Sequence, residues 1–235
     1  MAGRAFDTAV RPFDAVMFDL DDTLIDWWGS LTRCLESFAD DDDVAAAHSY
    51  IRRNFWESHP EHDFVWHRNT WQLWEARRRL WHEVFAHRHE DDRRIMLDRF
   101  EENLWVGFFP DVVPVLDHLV HEIRLAVLTN NEYVEREIDR LRLHDWFEFA
   151  LFPGAPLKPD PAAFLAGCQR LGLEPSRVAY VGDSVRADVL GAAAAGLTPI
   201  WIDRWNDPWP KMPAEIRRIT SFDELPDVLG VRALA

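Results

Sequence analysis

Residues 15–28, AVMFDLDDTLIDWW, decide the fold. Ala15 to Phe18 are apolar and read as a short buried strand. Three carboxylates then fall within four positions, Asp19, Asp21 and Asp22, with Leu20 between the first two. Like charges packed beside a buried segment need a compensating group, because each ionised acid raises the cost of ionising its neighbours. In a parallel sheet, ligands sit outside the carboxyl ends of the strands. The acids therefore make sense if the rest of the chain builds such a sheet.

Strand-like and helix-like segments alternate over most of the remaining sequence. PDVVPVLDHLVHEI (110–123) has helical spacing at Val112, Val115, Leu116 and Leu119, with Asp111 as N-cap. RLAVLTNN (124–131) is an apolar strand, EREIDRLRL (135–143) a helix, and FEFALFPG (147–154) a strand ending at Pro153-Gly154. KPDPAAFLAGCQRLGL (158–173) places Asp160 and Pro161 at a helix start and Gly172 near its end. RVAYVGDS (177–184) and TPIWID (198–203) are strands. RADVLGAAAAG (186–196) is a helix closed by Gly196, and SFDELPDVL (221–229) is a last short helix. This alternation predicts an α/β fold, a Rossmann-like doubly wound parallel sheet with helices on both faces.

One block interrupts the pattern. Between Trp27 and Phe108 apolar residues recur at helical spacing, as at Leu31, Leu35 and Phe38, and no strand is expected there. The block is read as an α-helical domain (27–107) inserted into a core formed by 1–26 and 108–235. It holds eight of the twelve tryptophans, and Trp71, Trp74 and Trp81 at helical spacing read as packing. His59, His62 and His67 are too loosely spaced for a metal site. Asp40 to Asp43 read as a solvated loop or helix start.

Bulk properties exclude several functions. With 235 residues, 48% of them apolar, the chain can bury a sizeable core. A net charge of −15 argues against nucleic acid as a partner, since phosphate backbones need a basic face. No apolar run is long enough to cross a membrane, and MAGRAFDTAVRPF (1–13) lacks a stretch of signal-peptide length. With Cys34 and Cys168 as the only cysteines, the expectation is a cytoplasmic protein.

The other strand ends add a chemically coherent set to Asp19 and Asp21. Thr129 and Asn130 end one strand, Lys158 opens the segment after another, and Asp183 and Asp188 follow a third. Lys158 and Lys211 are the only lysines among 26 basic residues, so Lys158 is conspicuous. Grouped carboxylates suit Mg2+, a hard cation that binds through oxygen and substrate phosphate. A carboxylate can also attack phosphorus, while an ammonium and a hydroxyl steady the phosphoryl oxygens.

FDLDDTL (18–24), LTN (128–130), KPDPAAF (158–164) and GDSVRAD (182–188) resemble, in order, the four motifs of the haloacid dehalogenase-like (HAD) hydrolase superfamily. The resemblance covers about residues 14–26 and 108–230, and the block between the first two motifs resembles the family's inserted helical cap. The resemblance implies a Mg2+-dependent phosphatase acting on a small phosphorylated metabolite. Asp19 would be the nucleophile, and Asp21 the general acid and then the base. Asp19, Asp183 and the backbone carbonyl of Asp21 would bind the metal, with Asp188 as a further ligand or a support. Thr129 and Lys158 would be catalytic and contact the phosphoryl group. Asn130 is placed either at the substrate or in the turn, and Trp28 is a candidate substrate contact close behind the first motif. Alternatives are a phosphomutase, a dehalogenase, or a phospho-acceptor or binding protein without turnover; the presence of Asp21 favours phosphoryl transfer over dehalogenation. A monomer or a homodimer is expected.

Overall fold

The computed structural model describes residues 11–37, 39–59, 64–67, 82–103, 106–131, 134–154, 156–206, 209 and 212–231. Six strands form one parallel sheet: β1 (Ala15–Phe18), β4 (Arg124–Leu128), β5 (Ala150–Leu151), β6 (Val178–Gly182), β7 (Thr198–Ile202) and β8 (Arg217–Ile219). Their spatial order is β5-β4-β1-β6-β7-β8, so the strand carrying the acids lies inside the sheet. Phe18 aligns with Val127 of β4 and Val181 of β6. That register puts Asp19, Leu128 and Gly182 at one level, and the residues after them at one edge.

Period-2 alternation explains why both faces are covered. Val16 and Phe18 enter one core with Val127, Val181, and Val112, Val115, Leu116 and Leu119 of helix α4 (Val112–Leu119). Ala15 and Met17 enter the opposite core with Leu128, Tyr180, and Phe164 and Cys168 of α6 (Pro161–Leu171). The α6 ends follow the expected chemistry. Asp160 accepts the Ala162 N–H at 2.9 Å, and Gly172 adopts φ 67°, a conformation open to glycine.

Between β1 and α4 lie α1 (Trp27–Glu36), α2 (Asp41–Phe55), β2 (Trp56–His59), β3 (Phe64–His67) and α3 (Glu90–Asn103). Leu31, Leu35, Ala47, Tyr50, Phe85 and Met96 form a separate core among them. The β2–β3 pair corrects the expectation that this block holds no strand: Trp56–His59 and Phe64–His67 pair antiparallel. Each run is four residues long, too short to show a period, though its aromatic and β-branched content suits a sheet. Trp71, Trp74, Trp81 and His62 lie outside the described residues. Asp40 to Asp43 belong to the start of α2, where Asp40 accepts the Asp43 N–H at 2.9 Å and Asp43 is buried against Arg88.

Two connections join this block to the sheet, and they run side by side. Ile25 bridges Phe108, Asp26 N–H donates to Gly107 O at 2.9 Å, and Phe109 N–H donates to Leu24 O at 3.0 Å. The remaining helices are α5 (Val134–Arg140), α7 (Gly191–Ala194) and α8 (Leu225–Leu229). Residues 186–190, expected as ordinary helix, belong to a π-helical turn, Val185–Leu190, before α7.

Candidate active site

Asp19 is held where β1 ends. Its N–H donates to Val181 O at 2.9 Å, which extends the ladder by one residue, and its side chain is buried. The chain then turns sharply: the Leu20 carbonyl accepts from both Leu24 and Ile25 N–H, and Asp22 takes φ 56°. The turn leaves Asp21 partly buried on one side and sends Thr23 toward β6, where its hydroxyl accepts the Asp183 N–H at 3.0 Å.

Lys158 reaches Asp19 from below. Its side chain is wholly buried, and its Nζ donates to Asp19 Oδ1 at 2.6 Å, Asp188 Oδ1 at 2.6 Å and Tyr180 Oη at 2.8 Å. All three ammonium hydrogens thus have acceptors. Burial alone would favour neutral Lys158, but Asp188 and Asp19 outweigh it and raise its pKa above the ordinary value. The Lys158 backbone is fixed by Asn130, whose amide donates to Lys158 O and accepts from Lys158 N–H, both at 3.0 Å.

The acids differ in their surroundings. Burial, then Asp19 and Asp22, push Asp21 well above the ordinary carboxylate range, against the Asn131 amide that donates to it at 3.2 Å. Burial, with Asp188 and Asp19, does the same to Asp183. Asp188 rises to about 6: burial raises it and Lys158 partly offsets the rise. Its Oδ2 accepts the Ser184 N–H at 2.9 Å. Thr129 is buried, and its Oγ1 accepts the Asn131 N–H at 3.1 Å.

Carboxylate oxygens of Asp19, Asp183 and Asp188 lie within 4.8 Å of one another. Asp19 and Asp188 share Lys158, while the Asp183 carboxylate accepts from the neutral Thr23 hydroxyl at 3.3 Å. An all-oxygen acidic donor set with incomplete charge compensation fits a hard divalent cation. The Asp21 side chain is not part of this group; it faces Asn131.

The structure therefore brings Asp19, Asp21, Thr129, Asn130, Lys158, Asp183 and Asp188 to one sheet edge. Trp28 stands at the start of α1 with its ring 5.3 Å from that of His48. Sequence reasoning gives no role to Thr23 or Tyr180 and reads Asn131 as a turn residue. Thr23 lies within the first motif and Asn131 directly after the second. Tyr180 carried no signal, being one more large residue in the apolar strand RVAYV.

A family model described as haloacid dehalogenase-like hydrolase matches residues 13–196. Phosphoglycolate phosphatase 1 of Pseudomonas aeruginosa is 32% identical over 215 residues, covering 81% of this chain and 71% of that protein. N-acylneuraminate-9-phosphatase of Rattus norvegicus is 32% identical over 125 residues, covering 51% of this chain and 50% of its own length. The chain thus spans about half the length of that relative. Among solved structures, a 2-haloacid dehalogenase from Pseudomonas syringae has a TM-score of 0.60 at 26% identity, covering 93% of this chain and 98% of the other. A magnesium-bound HAD-type hydrolase from Bacillus subtilis has a TM-score of 0.71 at 17% identity, covering 94% and 100%, a likeness of fold. The motif order, the sheet edge where the motifs meet and the matched span agree: this chain belongs to the haloacid dehalogenase-like hydrolase family.

Proposed function

We propose that the chain is a Mg2+-dependent phosphatase that hydrolyses a small phosphomonoester through a phosphorylated Asp19. The observation that carries this reading is the pairing of two unlike acids. Asp19 is buried with the Lys158 ammonium on one oxygen, which offsets its charge and holds the carboxylate in place as a nucleophile. Asp21 sits two residues on, disfavoured as an anion, so it holds a proton it can give away. The phosphatase relatives support the same reading.

The steps follow from those two states. An Asp19 oxygen attacks phosphorus and the bond to the leaving oxygen breaks, while Asp21 donates its proton to that oxygen. The Asp21 carboxylate then takes a proton from water. The water oxygen attacks phosphorus, the bond to Asp19 breaks, and inorganic phosphate leaves with both acids restored. Asp19, Asp183 and the Asp21 carbonyl would hold Mg2+, which would draw charge from the phosphoryl oxygens. Asp188, with oxygens engaged by Lys158 and Ser184, would support that set. The Thr129 hydroxyl, whose oxygen already accepts from Asn131, keeps its proton for a phosphoryl oxygen. The Asn130 amide, engaged with the Lys158 backbone, serves by holding Lys158.

In this reading residues 27–107 form a cap on a core of 1–26 and 108–235, and its movement admits substrate and excludes water. Trp28, at the cap's first turn, contributes to the substrate wall. The substrate is a small phosphorylated metabolite of the cytoplasm, and one chain supplies the whole site whether the protein is a monomer or a homodimer.

The test is turnover of p-nitrophenyl phosphate. Asp19→Asn should abolish it while leaving the thermal midpoint near that of the parent chain, and chelation should stop it until Mg2+ is returned. Persistent hydrolysis in the variant rules out Asp19 as nucleophile. Halide release from a 2-haloacid in the presence of chelator would favour the dehalogenase reading instead.

A further inference from the structure

Asp22 has a backbone and a side chain that ask for different explanations. Its φ of 56° lies in the left-handed region, which glycine enters freely and other residues enter at a cost. Its carboxylate is buried, at 8% exposure, and accepts the Trp28 N–H at 2.8 Å. Trp28 is the second residue of α1. That helix already has its own N-cap: the Asp26 side chain accepts the Gly29 N–H at 2.9 Å and is tied to Arg33. Helix α1 therefore does not need Asp22 in order to start. The second carboxylate comes instead from the turn that carries Asp19 and Asp21.

The surroundings make this bond a link between two bodies. Asp22 N–H donates to Ile25 O at 2.7 Å, and Ile25 bridges Phe108, where the two connections to the inserted block run side by side. The backbone on that side is pinned to the sheet by further contacts: Arg204 donates to Thr23 O at 2.9 Å while paired with Asp111. On the far side of these paired connections, Asp22 is bonded directly to the first turn of α1. Any rotation of α1 about them must carry the Asp22 carboxylate with it or break this bond.

We propose that Asp22 is a positioning residue, a strut whose carboxylate fixes the first turn of α1 to the turn bearing Asp19 and Asp21 and so sets how the inserted block is oriented over the reacting acids. The proposal rests on the phosphatase reading for its kinetic readout and on the hydrogen bond alone for its structural one. A merely structural acid would only stabilise the helix. A strut makes alignment of the two bodies depend on an acceptor at this position, and small misplacements of catalytic geometry cost rate far beyond their cost in stability.

Two variants separate these roles. Asp22→Gly relieves the backbone and removes the acceptor. Asp22→Asn tolerates the same φ and keeps an oxygen acceptor while losing the charge. With p-nitrophenyl phosphate and saturating Mg2+, kcat of Asp22→Gly should fall about tenfold, with the thermal midpoint within about 2 °C of the parent, because Asp26 still caps α1. Asp22→Asn should stay within about threefold of the parent. Hydrogen exchange of peptides covering residues 27–36 should quicken in Asp22→Gly and not in Asp22→Asn. Parental kcat in Asp22→Gly, equal losses in both variants, or a loss that only tracks a fallen midpoint overturns the proposal. If the parent chain hydrolyses no phosphomonoester, the phosphatase reading fails by itself, and the exchange data still decide the strut: unchanged exchange in Asp22→Gly overturns it.

Discussion

At the level of single side chains, the Lys158 ammonium is the centre of the site. Its three contacts consume its hydrogens, and one acceptor, the Tyr180 hydroxyl, in turn donates to Leu128 O at 2.8 Å. Tyr180→Phe should leave one buried N–H facing an apolar ring, at a cost of about 1–3 kcal/mol in urea unfolding. Because Lys158 would lose one anchor, kcat on p-nitrophenyl phosphate should fall more than KM changes; equal kcat would show that the two aspartates alone fix the ammonium. In the proposed mechanism Asp21→Asn removes the proton donor while keeping the Asn131 contact. Its loss should therefore be largest for leaving groups of high pKa, measured as a steeper dependence of rate on leaving-group pKa. Asp19, Asp21 and Lys158 were legible in the sequence because charges stand out at the ends of apolar runs. Tyr180 was not, because a phenol inside a buried strand reads as core until register places its hydroxyl.

Among the elements, the junction after β6 shows how a local rule is broken for a site. The segment RADVLGAAAAG has helical composition, yet its first part winds as a π-helical turn from Val185 to Leu190. The wider turn returns the Asp188 carboxylate to the Ser184 N–H and to Lys158, in keeping with the frequent placement of such turns at functional sites. Gly182 makes room for it: a Cβ there would lie 2.4 Å from the Asp188 Cβ and Cγ. Gly182→Ala should therefore push Asp188 off Lys158, lower stability by about 1–3 kcal/mol and reduce turnover, read by thermal unfolding and p-nitrophenyl phosphate assay. Asp111 is a second case. It was expected to cap α4, and it stands at that position without a side-chain cap bond. Its carboxylate instead accepts from Arg204 and from Phe222 N–H at 2.9 Å, tying three segments distant in sequence. Local capping chemistry cannot reveal a competitor that arrives from 93 residues away.

Across the protein as a whole, the buried acids make stability depend on pH and cation together. Asp188 rises to about 6 and Asp22 to about 7, each pushed up first by burial. A carboxyl whose folded pKa is raised binds more protons folded than unfolded between the two values. Its contribution is fully present below about 4 and is lost as pH rises through the folded value. Without divalent cation, thermal midpoints should therefore fall between about pH 4 and 7. If these acids hold Mg2+ as proposed, it should raise the midpoint more at pH 8 than at pH 5, since only ionised acids would bind it. A midpoint that climbs steadily with pH in chelator would contradict this account.

Sequence alone determined the layered α/β plan, the strand ends where chemistry collects, and the identity of the acids and the lysine. Those depend on period, on turn residues and on charge against an apolar background, all local properties of the chain. Tertiary structure decided the rest: the antiparallel β2–β3 pair within a block read as helical, the Tyr180 and Asn130 holds on Lys158, the diversion of Asp111, and the reach of Asp22 into α1. Each is a choice between partners far apart along the chain. Such choices are settled by strand register and by which groups burial leaves without water, and neither is written in any one segment.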